Sequence, residues 1–72
     1  MDYRKLKGKI KEVFNSQAAF ADAMEMSYTA LNQRLNGAVE WKAPEMVNAC
    51  KLLGIPLEEA YLYFFCVESL EN

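Results

Sequence analysis

Apolar residues in this chain recur at helical spacing in short runs, and every run is bounded by residues that start or stop a helix. Asn15-Ser16, Ser27, Asn36-Gly37, Pro44 and Gly54-Ile55-Pro56 are those boundaries. They divide the chain into five segments, none longer than about four helical turns. Nowhere do apolar and polar residues alternate with period two for long enough to make a strand. The expected fold is all-α, five helices in a single domain covering residues 1–72. A chain of 72 residues holds one small core. At that size burial supplies only a few kcal/mol, and association of copies is a common supplement.

The first segment, residues 2–14, places Tyr3, Leu6, Ile10, Val13 and Phe14 on one stripe and most of Arg4, Lys5, Lys7, Lys9 and Lys11 on the other faces. Ser16 suits the N-cap of a second helix over 17–24, in which Phe20, Ala21 and Met24 face inward. Ser27 caps a third helix over 28–36, with Leu31 and Leu35 as its apolar i,i+4 pair. Asn36 and Gly37 both tolerate the left-handed conformation that ends helices. A loop over 38–43 carries Trp41, expected as a lid on the core, with donation from its indole N–H to a phosphate as the alternative. Pro44 suits the first turn of a fourth helix that runs through Cys50 and Leu53 and stops at Gly54.

A fifth helix is expected over 57–70. Tyr61, Phe64 and Phe65 share the face expected in the core. Tyr63, Val67 and Leu70 fall at i, i+4 and i+7 on a second face, which a two-fold homodimer would cover. The alternative is a monomer whose last helix folds over its own body.

Composition removes several classes of function. With 53% hydrophobic and 25% charged residues the chain is globular rather than disordered. No apolar run reaches the ~18 residues of a membrane span, and "MDYRKLKGKIKEVF" lacks the apolar centre of a secretion leader. A cytoplasmic protein without a membrane partner is expected. Cys50 and Cys66 lack CxxC spacing and there is no histidine, so a zinc site is not expected. Two buried thiols are the simpler assignment, a disulfide the other. No glycine-rich phosphate loop, metal-ligand cluster or carboxylate pair with a reason to be perturbed is present, and the core is too small to line a deep substrate pocket. Neither an enzyme nor a cofactor, metal or small-molecule ligand is therefore expected.

The net charge of −2 conceals an asymmetry. All eight Lys and Arg lie within residues 1–51, whereas residues 52–72 carry Glu58, Glu59, Glu68 and Glu71 and no base. An acidic end can point away from a polyanion that the basic part approaches.

The central stretch "QAAFADAMEMSYTALNQRLNG" brings two short helices to a tight corner. Ala21 is small enough to let them cross closely, and Met26 and Leu31 are expected to pack back on Phe20 and Met24. Tyr28, Thr29, Asn32, Gln33 and Asn36 are then left outside as a polar row. Amides can pair with adenine and hydroxyls adapt to either base, so such a row is suited to reading base edges.

From about Lys9 to Leu62 the chain resembles the lambda-repressor-like (XRE/Cro-CI) helix-turn-helix family of phage and bacterial regulators. Its "MDYRKLKGKI", "LNQRLNG…W" and "GIP…YFF" pieces are similar to a group of short phage regulators within it. The resemblance implies a helix-turn-helix over 17–36 that binds double-stranded DNA, with Tyr28, Thr29, Asn32 and Gln33 as base contacts. It implies phosphate contacts from Gln17, Ser27 and Asn36, with Arg34 and Lys42 as partners on either side. The implied activity is transcriptional regulation, Cro-like, by a homodimer on a pseudo-palindromic operator. Where the family's corner has glycine this chain has Glu25, so a non-glycine residue would need positive φ. Glu25 and Glu40 also bring negative charge near the proposed interface. The alternative is a protein-interaction module on the same fold, antitoxin-like or the partner of an anti-repressor, without DNA binding. In that family the first helix lies mostly off the groove, so its basic run is expected to be mainly solvated charge.

Overall fold

The computed structural model describes residues 3–65. The elements in order are α1 (Arg4–Phe14), α2 (Gln17–Ala23), α3 (Tyr28–Leu35), α4 (Ala43–Leu53), a 3-10 turn (Leu57–Glu59) and α5 (Tyr61–Phe64). The fold is all-α. No helix among the described residues is long and apolar enough to cross a membrane.

Each of the first four helices is closed by one left-handed residue. Asn15 (φ 71°) ends α1 and donates its N–H to the Lys11 carbonyl at 3.0 Å. Gly37 (φ 81°) follows α3, with the Ala38 N–H reaching back to the Gln33 carbonyl at 2.9 Å. Gly54 (φ 71°) follows α4, with the Ile55 N–H on the Cys50 carbonyl at 2.9 Å. These bonds satisfy carbonyls that the helix leaves open, and they need a residue that tolerates positive φ.

The fourth such residue is Glu25 (φ 60°), after α2. Its N–H donates to the Asp22 carbonyl and that of Met26 to the Ala21 carbonyl, both at 3.0 Å. A side chain in this conformation costs on the order of 1 kcal/mol. Glu25→Gly is therefore expected to raise stability by only a few tenths of a kcal/mol, because the larger unfolded-state entropy of glycine offsets most of the relieved strain, and to raise the melting temperature by about one or two degrees. Thermal unfolding followed by circular dichroism checks this. An unchanged or lower midpoint would mean that the Glu25 side chain offsets its own strain.

At the N-termini, Ser16 Oγ accepts from the Ala19 N–H at 3.1 Å and Ser27 Oγ from the Ala30 N–H at 3.0 Å, as both cap assignments required. α4 is started by Glu45, whose carboxylate accepts from the Lys42 N–H at 3.0 Å, with Pro44 in the first turn.

One core joins all of these elements. α1 packs on α2, α4 and α5, and α2 packs on α3. Tyr3, Leu6, Ile10, Phe20, Ala21, Met24, Leu31, Leu35, Ala49, Cys50, Leu53 and Ile55 are buried, with Met26 partly buried against them. Ala21 is 2% exposed, so the small residue does sit inside the α2–α3 packing. Cys50 is a free buried thiol, and loss of water around it pushes its pKa up. Cys66 lies outside the described residues.

Two packing expectations need correction. Val13 is exposed, because the chain turns at Asn15 and brings Phe20 onto Phe14 (ring centroids 5.3 Å apart) rather than onto Val13. The second concerns the last segment. Its described part opens with a 3-10 turn and makes one α-helical turn, not the continuous helix expected from residue 57 onward. A single turn offers one inward position, and Phe64 takes it, edge-on to Trp41 with centroids 5.0 Å apart and planes at 73°. Tyr61 and Phe65, both expected inside, are about half exposed. Tyr63, expected outside on a dimer face, is instead partly buried against the core, with Lys5 Nζ 5.3 Å from its ring centre. Val67 and Leu70, the rest of that face, lie outside the described residues.

Candidate nucleic-acid interface

α3 has two sides of opposite character because its apolar residues fall at i and i+4. Leu31 and Leu35 are 0% and 1% exposed, which locks the inner side against α2 and the core. Tyr28, Thr29, Asn32 and Gln33 are all exposed, and so is Asn36, the residue that ends the helix. Among the described residues, none of these five side chains makes a hydrogen bond. A rigid helix with an outward row of amides, hydroxyl and phenol can exchange water for another polar surface without first breaking internal bonds.

The residues expected around this row are in different states. Ser27 is exposed but its hydroxyl is occupied as the cap of α3, so the free donor there is the O–H proton only. Lys42 is exposed at the start of α4 and Gln17 is half-buried at the start of α2. Arg34 serves another purpose. Its Nε and Nη2 donate to the two Glu45 oxygens at 3.0 and 2.9 Å, and its Nη1 donates to the Ala30 carbonyl at 2.9 Å. The side chain is 14% exposed. Arg34 thus fastens α3 to α4 through a two-pronged ion pair and has no guanidinium nitrogen left uncommitted. The hydrogen bond from Arg34 holds the Glu45 carboxyl below its ordinary range, and the same bond raises the Arg34 pKa.

Glu45 is the residue that sequence reasoning missed. Its signal was present in "KAPE", a carboxylate three positions after the residue that opens a helix. What the pattern does not contain is the second role, as anchor for an arginine eleven residues earlier.

Asp22, Glu25 and Glu40 are exposed. Glu25 sits at the corner between α2 and α3, so one negative charge stands beside the N-terminal part of the polar row. A separate exposed surface is apolar. Leu57, Tyr61 and Phe65, spaced by four, are 59%, 48% and 52% exposed along the 3-10 turn and α5.

No curated protein matches the chain. A family model described as "Protein of unknown function (DUF739)" matches residues 1–67. Nearly the whole chain is covered, and the protein belongs to the DUF739 family.

Proposed function

We propose that this protein is a sequence-specific, DNA-binding transcriptional regulator of the Cro-like kind, acting in the cytoplasm as a homodimer on a pseudo-palindromic operator. The observation that carries the proposal is α3 itself. Its inner side is locked by Leu31 and Leu35, while Tyr28, Thr29, Asn32 and Gln33 are outward and uncommitted. A helix set on a tight corner after another helix is the geometry that enters a major groove. In this reading the four side chains meet base edges. Gln17, Asn36, Lys42 and the Ser27 hydroxyl meet phosphates, which position the duplex without reading it. Arg34 acts indirectly, by holding α3 on α4 through Glu45.

The dimer face in this proposal is the exposed line of Leu57, Tyr61 and Phe65. A two-fold contact there buries the same residues on both copies. Two recognition helices then address half-sites about 34 Å apart.

Gln33→Ala is expected to lower discrimination at one base position by roughly 1–3 kcal/mol, with little change in non-specific binding. Selection from a random-sequence duplex pool, followed by sequencing, measures both for the wild type and the variant. An inverted repeat in the wild-type selection, blurred at one position per half-site in the variant, is the expected outcome. An identical profile from both removes Gln33 from the reading set.

The exposed Asp22, Glu25 and Glu40 favour one competing reading, a protein-interaction module on the same fold. Failure of the wild type to retain any duplex at low salt would decide for it, because phosphate attraction is strongest there.

A further inference from the structure

The basic run of α1 plays no part in the reading of DNA proposed above, and its members are not equivalent. Lys9 pairs with Glu12 at 3.7 Å, and Lys5 lies over the Tyr63 ring. Lys7 and Lys11, one helical turn apart, have no ion-pair partner among the described residues. Both line a recess of about 300 Å³ at the junction of α1 and α2, together with Ile10, Asn15, Ser16 and Gln17. No carboxylate lines it. The Ser16 hydroxyl oxygen accepts as a cap and keeps its O–H proton, so the free polar groups are that proton, two ammonium heads and the side-chain amides of Asn15 and Gln17. An ammonium offers three donors and no acceptor. The lining is therefore matched to an anion with several acceptor oxygens.

We infer that this recess is a phosphate-binding site outside the polar row of α3, and that its ligand is a phosphodiester of the DNA backbone. The inference rests on the proposed function. Openness of the site decides between backbone phosphate and a free ion. The lysines are exposed, and exposed ion pairs contribute about 0–1 kcal/mol each. That is too little to capture a dilute free ion. A phosphate carried by a duplex already held at α3 arrives at high effective concentration, and weak pairs then suffice. Lys7 and Lys11 become non-sequence-reading contacts that add affinity and salt dependence.

The experiment compares wild type, Lys7→Gln/Lys11→Gln, Lys7→Arg/Lys11→Arg and a charge-matched control, Lys9→Gln/Lys51→Gln. Affinity for the selected operator and for a random duplex is measured across sodium chloride concentrations. In the Gln pair the slope of log affinity against log salt is expected to shrink by about 0.9 per lysine, and affinity near 0.1 M salt to fall several-fold per lysine. The loss should be equal on both duplexes and should vanish toward 1 M salt. The Arg pair should keep the wild-type slope, since it keeps the charge. A wild-type slope in the Gln pair, or an equal loss in the control, overturns the assignment while the operator preference of the wild type keeps the parent proposal standing. Inorganic phosphate is titrated separately, with the Asn15 and Gln17 amide signals followed by NMR. Saturation at micromolar phosphate together with an unchanged DNA slope would make the recess a free-anion site. A wild type that binds no duplex at all brings down both the proposed function and this inference.

Discussion

Trp41→Ala should lower stability by about 3–5 kcal/mol, which is most of what a domain this small possesses. Trp41 is 8% exposed although it lies in the loop between α3 and α4, where backbone structure alone gives it no fixed position. It is held by its edge-on contact with Phe64, the buried residue of α5. Truncation removes the lid from the core and also the surface on which α5 is seated. It would enlarge an existing recess of about 410 Å³ lined by Tyr3, Val39, Met46, Phe64 and Phe65, so collapse around the gap is limited. Urea denaturation followed by circular dichroism is the appropriate measurement, since Trp41 is the sole tryptophan and its own fluorescence disappears. Trp41→Phe should cost far less than the alanine change. The buried Nε1–H has no acceptor among the described residues, so phenylalanine forfeits volume but no hydrogen bond described there. An alanine variant within 1 kcal/mol of wild type would show that the loop and α5 are held by something other than this contact.

The second large effect concerns association. Leu57→Lys/Tyr61→Lys should yield monomers in sedimentation and reduce operator affinity by roughly 10²–10⁴-fold, the gain that two linked half-site contacts give over one. Both residues are already about half exposed, so the fold should tolerate the charges, and the melting curve provides the control. Binding to a single half-site should survive, because no residue of the polar row is changed. Dimers that persist would place the contact elsewhere, with the face of Val67 and Leu70 the next to test. Monomers that keep full operator affinity would mean that dimerisation contributes nothing to recognition.

The helix boundaries were largely legible in the sequence, and the reason is distance along the chain. Ser16 and Ser27 cap through hydrogen bonds to residues three positions on, and Asn15, Gly37 and Gly54 end helices through bonds spanning four or five. The division of α3 into a buried Leu31–Leu35 side and an outward polar row was legible for the same reason, since both follow from the helical repeat. The strained corner at Glu25 was foreseeable through the resemblance, which has glycine at that corner where this chain has glutamate.

Arg34 and the last aromatic segment were not legible. An arginine on a polar helix near an amide row has the composition of a phosphate contact. Only the approach of α4 brings Glu45 within 3.0 Å and turns it into an internal fastening. Residues 61–65 present five large side chains in succession, so several inward faces satisfy the pattern equally well. The 3-10 turn before them and the position of Trp41 chose Phe64, left Tyr61 and Phe65 outside, and drew Tyr63 toward Lys5.

By itself, then, the sequence determined the all-α class, the ends of the first four helices and the outward polar row of α3. These rest on backbone hydrogen bonds and side-chain periodicity within a few residues. The tertiary structure alone decided which charges are used up internally, which aromatics are buried, and that Lys7 and Lys11 share a recess with Gln17. Those outcomes depend on which helix packs on which. In so small a core, the packing of whole helices is selected by a few long-range contacts that local patterns leave undetermined.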